Sequence, residues 1–87
     1  MIDNIRHRLR KYADVVIGLR EVTIDNLSIV STELNDKLLE FGKHDAELFV
    51  ADYKYNILSK NLGSSCAITL LRKEYSDDII RLIARTP

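Results

Sequence analysis

The segment Phe41-Gly42-Lys43-His44-Asp45 sets a helix stop directly against a helix start, and it falls at the midpoint of the chain. Glycine readily takes the left-handed conformation that ends many helices. Asp45 is of the type that caps a helix N-terminus, since its carboxylate accepts free first-turn amides. Helical patterning runs for about forty residues on either side. The chain is therefore expected to be all-α and a single domain spanning 1–87: an antiparallel helical hairpin, or a four-helix bundle if each arm breaks once.

The first arm carries apolar residues at Ile2, Ile5, Leu9, Tyr12, Val16 and Leu19, alternating steps of three and four. That spacing suits a helix packed along its length. The phase then slips, and the seam resumes at Leu27, Val30, Leu34, Leu38 and Phe41. Val22-Thr23-Ile24-Asp25 lies at the slip; its residues are poor helix formers, and Thr23 or Asp25 suits a new cap. A short strand over 22–24 would have little to pair with. In the second arm Leu48, Ala51, Tyr55, Leu58 and Leu62 form one seam, and Ala46, Val50, Tyr53 and Ile57 form another beside it. A belt that wide must be buried on more than one side. Gly63-Ser64-Ser65 marks a second weak point, after which Ile68, Leu71, Tyr75, Ile79 and Leu82 continue the pattern. Helices are predicted at roughly 3–20, 25–41, 45–62 and 65–84, with two long unbroken arms as the alternative.

A chain of 87 residues buries only about 60% of its unfolded surface, so its own core is small. With 46% apolar residues, a thin two-helix rod would leave much of them uncovered. A homodimer, a higher oligomer or a protein partner is therefore expected. Thirteen basic residues balance thirteen acidic ones, which gives no electrostatic argument for nucleic acid or for a membrane surface. The cluster Arg6, His7, Arg8, Arg10 and Lys11 is interleaved with the seam residues Leu9 and Tyr12 and lacks any accompanying nucleic-acid motif. No apolar run approaches the roughly 20 residues of a membrane span, and no secretory signal is evident. The single Cys66 precludes an internal disulfide. These features predict a cytoplasmic protein.

Charge is unevenly spread. Residues 1–20 hold five Lys/Arg against Asp3 and Asp14, whereas residues 21–60 hold eight acids against four lysines. A hairpin would turn this into a dipole with basic termini and an acidic tip, suited to docking or head-to-tail association. No catalytic or metal motif stands out, so no enzyme activity and no cofactor are expected. His7 and His44 would sit at opposite ends of a hairpin, and Cys66 reads as a small buried side chain. Asp77 and Asp78, being adjacent on a helix, point about 100° apart. Phe49, Tyr53 and Tyr55 offer an aromatic hot spot, and Glu40, Asp45 and Glu47 an acidic one; these six are the predicted partner-binding residues.

Two family resemblances add to this. Ser31-Thr32-Glu33-Leu34-Asn35 resembles the Ser-Gln-Glu-Leu-Asp motif of the small sporulation aspartyl-phosphate phosphatases, and Ile2-Asp3-Asn4-Ile5-Arg6 resembles their opening helix. That likeness implies action on a phosphorylated response regulator, but the family's functional aspartate falls on Asn35, which has no carboxylate, and Asp36 points elsewhere. The second half, through Ala46-Glu47-Leu48, Asp52-Tyr53-Lys54-Tyr55 and Ala67-Ile68-Thr69-Leu70-Leu71-Arg72, resembles small helical proteins encoded by phages of Gram-positive bacteria. This second likeness implies a binding protein rather than an activity. The expected function is a non-enzymatic interaction module, such as a phage-type regulator or inhibitor. The alternatives are a structural subunit of a helical filament or virion and a relative of the phosphatases.

Overall fold

Three glycines decide where the chain turns. Gly18, Gly42 and Gly63 each follow or separate helices with φ of 66°, 106° and 89°. Side chains rarely adopt that half of backbone space. In the computed structural model, which describes residues 2–84, the elements are α1 (Ile2–Ile17), α2 (Leu27–Leu38), a 3-10 turn (Leu39–Phe41), α3 (Lys43–Leu62), α4 (Ser64–Leu71) and α5 (Asp77–Ala84). No strand occurs among the described residues, and 21–26 form an irregular loop and turn.

The break in the first arm lies where the seam slips. Gly18 N–H donates to the Asp14 carbonyl at 2.9 Å and closes α1 three residues before the predicted end. Asn26 rather than Thr23 or Asp25 organises the connection: its Oδ1 accepts from Thr23 N–H at 2.7 Å, and its Nδ2 donates to the Glu21 carbonyl at 3.0 Å. The midpoint turn is tighter than expected. Ala46 N–H donates to the Gly42 carbonyl at 2.9 Å, so α3 starts at Lys43 and Asp45 lies inside its first turn instead of capping it. An acid there still complements the helix dipole.

The predicted fourth helix is two. It stops after Leu71 and restarts at Asp77, with Ser76 Oγ accepting from Ile79 N–H at 3.4 Å. The turn preserves the spacing of the seam, so Leu71 and Ile79 both point inward although the helix axis changes between them. Two unbroken forty-residue arms would each extend about 60 Å. The extents here are 29 × 28 × 21 Å, which excludes the long-arm alternative. The radius of gyration is 12.0 Å, about what compact packing of this length gives.

Helix α3 is the axis of the molecule. Its apolar belt is buried on more than one side, as its width predicts: α2, α1, α4 and α5 all pack against it. Leu9, Leu34, Leu38, Leu48, Leu71 and Ile83 are fully enclosed in a single core. The rod that would have required a covering partner is therefore not formed.

Candidate functional site

Residues spaced three and four apart share one flank of a helix. On α1 that rule puts Ile5, Leu9 and Ala13 into the core and sets Arg6, Arg10, Asp14 and Ile17 along one side of it. On α3, Phe49, Tyr53, Asn56 and Ile57 line up in the same way. The two flanks face each other across a hollow of about 380 Å³, closed at the far end of α1 by Arg20 and Val22. That volume lies at the small end of ligand-binding clefts.

Each arginine of this hollow is engaged differently. Arg6 makes a two-pronged pair with Asp52, Nε to Oδ2 and Nη2 to Oδ1 both at 2.7 Å, and a third bond to Asp3 at 3.0 Å. Asp52 is 4% exposed, so its charge depends on that fork. Arg20 donates to both carboxylate oxygens of Glu33 at 3.0 and 2.9 Å and to the last carbonyls of α1, Val16 and Ile17. Arg10 has only a 3.2 Å bond to Asp14, four residues on, and both side chains are mostly in solvent. Pairs of that kind contribute about 0.3–0.5 kcal/mol.

Tyr53 is half-buried on the opposite wall, and its hydroxyl makes no hydrogen bond among the described residues. Burial pushes its phenol pKa up; Arg10 and Arg20 pull it down, and Asp14 pushes it up again. The net rise keeps Tyr53 a neutral donor at ordinary pH. Tyr53 without a hydrogen bond and Arg10 with one exposed bond thus keep hydrogen-bonding capacity on one concave surface.

The predicted partner-binding residues do not form one patch. Phe49 is 4% exposed and belongs to the core, touching the hollow only as floor, because it follows Leu48 into the wide buried belt of α3. Tyr53 and Tyr55, two residues apart on a helix, face different ways. Tyr55 looks onto a separate hollow beside Ser65, Ile68 and Arg72. Glu40 and Glu47 are exposed, whereas Asp45 pairs with Arg8. That last pair also corrects the expected dipole. The basic N-terminal helix lies against the acidic turn, and Tyr12 packs against Phe41 there, the rings tilted 54° with centroids 4.5 Å apart. His7 and His44, expected at opposite ends, each adjoin one member of the Arg8–Asp45 pair in sequence.

Cys66 is exposed rather than buried, since Ala67 takes the inward position on α4. Asp77 and Asp78 are exposed in the first turn of α5. Asn35 is half-buried beside Ser31 and Lys54, and Asp36 is in solvent. No group of three or more His, Cys, Asp or Glu suited to a metal ion occurs among the described residues. None of the helices formed by those residues is long and apolar enough to cross a membrane. Comparison with protein-family models, with curated proteins and with solved structures finds no match.

Sequence reasoning did not assemble the Arg10–Tyr53 hollow. One available signal was Asp52 set within the apolar belt of α3, since a carboxylate in such a place needs a cation. Another was the regular spacing of Arg6, Arg10, Asp14 and Ile17.

Proposed function

We propose that this chain is a non-enzymatic protein-interaction module, a regulator or inhibitor that docks a partner protein in the groove between α1 and α3. The observation behind the reading is the contrast within that groove. Among the described residues Asp52 is the one buried charge and is paired internally, and no enclosed side-chain polar atom of theirs lacks a partner, yet Arg10 and Tyr53 keep hydrogen-bonding capacity facing solvent. The apolar side chains Ala13, Ile17, Val22 and Ile57 beside them supply area to desolvate. A cytoplasmic setting suits an exposed, unpaired cysteine such as Cys66.

The test is quantitative capture from extract of the source cells with three baits: the wild type, Arg10→Ala/Tyr53→Ala, and Lys60→Ala as an exposed control on the same helix. A specific protein retained by the wild type and the control but lost from the double variant is expected. Equal retention by all three removes the groove from the function.

A second reading, a structural subunit of a filament or virion assembly, draws on a different observation. Tyr12, Val15 and Leu19 are 51%, 81% and 106% exposed at helical spacing along the outer side of α1 and its C-terminal turn. Scattered exposed apolar residues are ordinary, but a stripe of them suits self-association. This reading predicts particles larger than a dimer in light scattering, dispersed by Val15→Glu. A sharp monomer at all protein concentrations excludes it.

A further inference from the structure

The groove between α1 and α3 is long as well as concave. From Arg6 to Ile17 it follows twelve residues of α1, eleven steps or about 16 Å at 1.5 Å per residue. An extended peptide of about five residues covers that distance at 3.3 Å each. The charges along it are nearly balanced. Asp52 and Asp3 answer Arg6, Glu33 answers Arg20, and only the Arg10 guanidinium is held by a single exposed bond.

We infer that the groove binds an extended segment of a partner protein carrying an acidic side chain beside apolar ones, the carboxylate being taken by Arg10 and Tyr53. This rests on the docking reading above and gives it a ligand chemistry. Arg10 exchanges its one bond to Asp14 for a two-pronged bond to the incoming carboxylate, a stronger arrangement. The Tyr53 hydroxyl donates to the same group. The neighbouring apolar residues of the segment rest on Ile17, Val22 and Ile57. A phosphate group fits less well. It brings a second negative charge that no free cation in the groove answers, and it faces Asp14 and Asp52 as well.

The test is a titration of the ¹⁵N-labelled protein, followed by amide chemical shifts, with the peptide acetyl-Ser-Leu-Glu-Phe-Ser-amide, its Gln counterpart and the small acid 4-phenylbutyrate. The glutamate peptide is expected to move amides of residues 10–20 and 49–57. Replacing its Glu by Gln, or using the Arg10→Gln or Tyr53→Phe protein, should weaken binding by about tenfold. Both positions are at least partly exposed, and thermal melting of the variants verifies that they fold.

Equal affinity for the Glu and Gln peptides overturns the carboxylate assignment and leaves the groove as a docking site. Binding of 4-phenylbutyrate as tightly as the peptide makes the hollow a small-acid site and overturns the peptide assignment. Shifts confined to other surfaces, or none at about 5 mM peptide, overturn the inference itself. The docking reading is then judged by the capture experiment, which uses no peptide.

Discussion

Helix α3 is flanked by two regions built by different means. On one side, the eight-residue helices α4 and α5 turn Ala67, Leu71, Ile79, Ile80 and Ile83 into the core. On the other, the sixteen-residue α1 fully buries three, Ile5, Leu9 and Ala13, with Ile2, Val16 and Ile17 partly buried beside them. To its apolar contacts α1 adds ion pairs: Arg6 with Asp52, Arg8 with Asp45, and Arg20, just beyond its end, with Glu33. Apolar burial is non-directional and fills the interior, because every void costs contacts; the hollow beside Tyr55 lies outside that core. Paired forks fix distance and orientation and tolerate open space between them. The closed side therefore holds the fold together, and the open side keeps the hollow with Arg10 and Tyr53 on its rim.

The comparison breaks first if the closed side is not the stronger. Ile83 is fully enclosed, and Ile83→Ala should cost about 2–5 kcal/mol in urea denaturation, a large part of what a domain this size has. A loss below about 1 kcal/mol would mean that α5 is not a core element.

On the open side, Arg6→Ala strands the Asp52 carboxylate. The expected loss is about 2–4 kcal/mol, smaller than for a fully buried pair because Arg6 is 30% exposed. Replacing both residues, as Arg6→Met with Asp52→Leu, should recover most of it. If the single variant is as stable as the wild type, α1 is not anchored by ion pairs.

The turns were more legible in the sequence than the groove. Gly42, Gly63 and the slipped seam near Thr23 marked three of the turns, because glycine and a change of period are local signals. The turn at 72–76 was hidden: it contains neither Gly nor Pro, and Leu71, Tyr75 and Ile79 keep helical spacing across it. Only Ser76 ahead of Asp77-Asp78 hinted at a new start. Of the candidate site, Tyr53 was picked out as an aromatic on α3. Its partners were not, because Arg10 is forty-three positions away and only the return of α1 onto α3 brings them to one hollow. Tyr55, equally plausible by composition, was separated from Tyr53 by helix geometry alone.

Lys54 sharpens the comparison at smaller cost. It pairs with Glu74 and lies 5.2 Å from the centre of the Tyr75 ring, pinning the turn between α4 and α5 to α3. Lys54→Ala should lower stability by about 1 kcal/mol and, since the apolar seal remains, leave the groove unchanged. Thermal melting together with amide shifts of 49–57 checks both parts.

The smallest effects are in pH. Hydrogen bonds from Arg20 hold Glu33 below the usual carboxylate range. Its contribution is complete above the unfolded value and is lost as pH falls through the lowered one. Burial holds Tyr75 above the usual phenol range, with Lys54 opposing. That contribution is complete below its ordinary value of about 10 and is lost as pH rises through the raised one. Urea midpoints should therefore fall at both extremes, the acid limb shallower in Glu33→Gln and the alkaline limb shallower in Tyr75→Phe. Unchanged limbs in both variants would remove these groups from the balance.

The difference between the two sides of α3 is tested most directly by amide chemical-shift mapping with the partner obtained by capture. The largest changes are expected along the open side, at Arg10, Asp14, Arg20, Tyr53 and Ile57. Changes centred on Tyr55, Ile68 and Thr69, with the α1–α3 groove unaffected, would contradict the assignment.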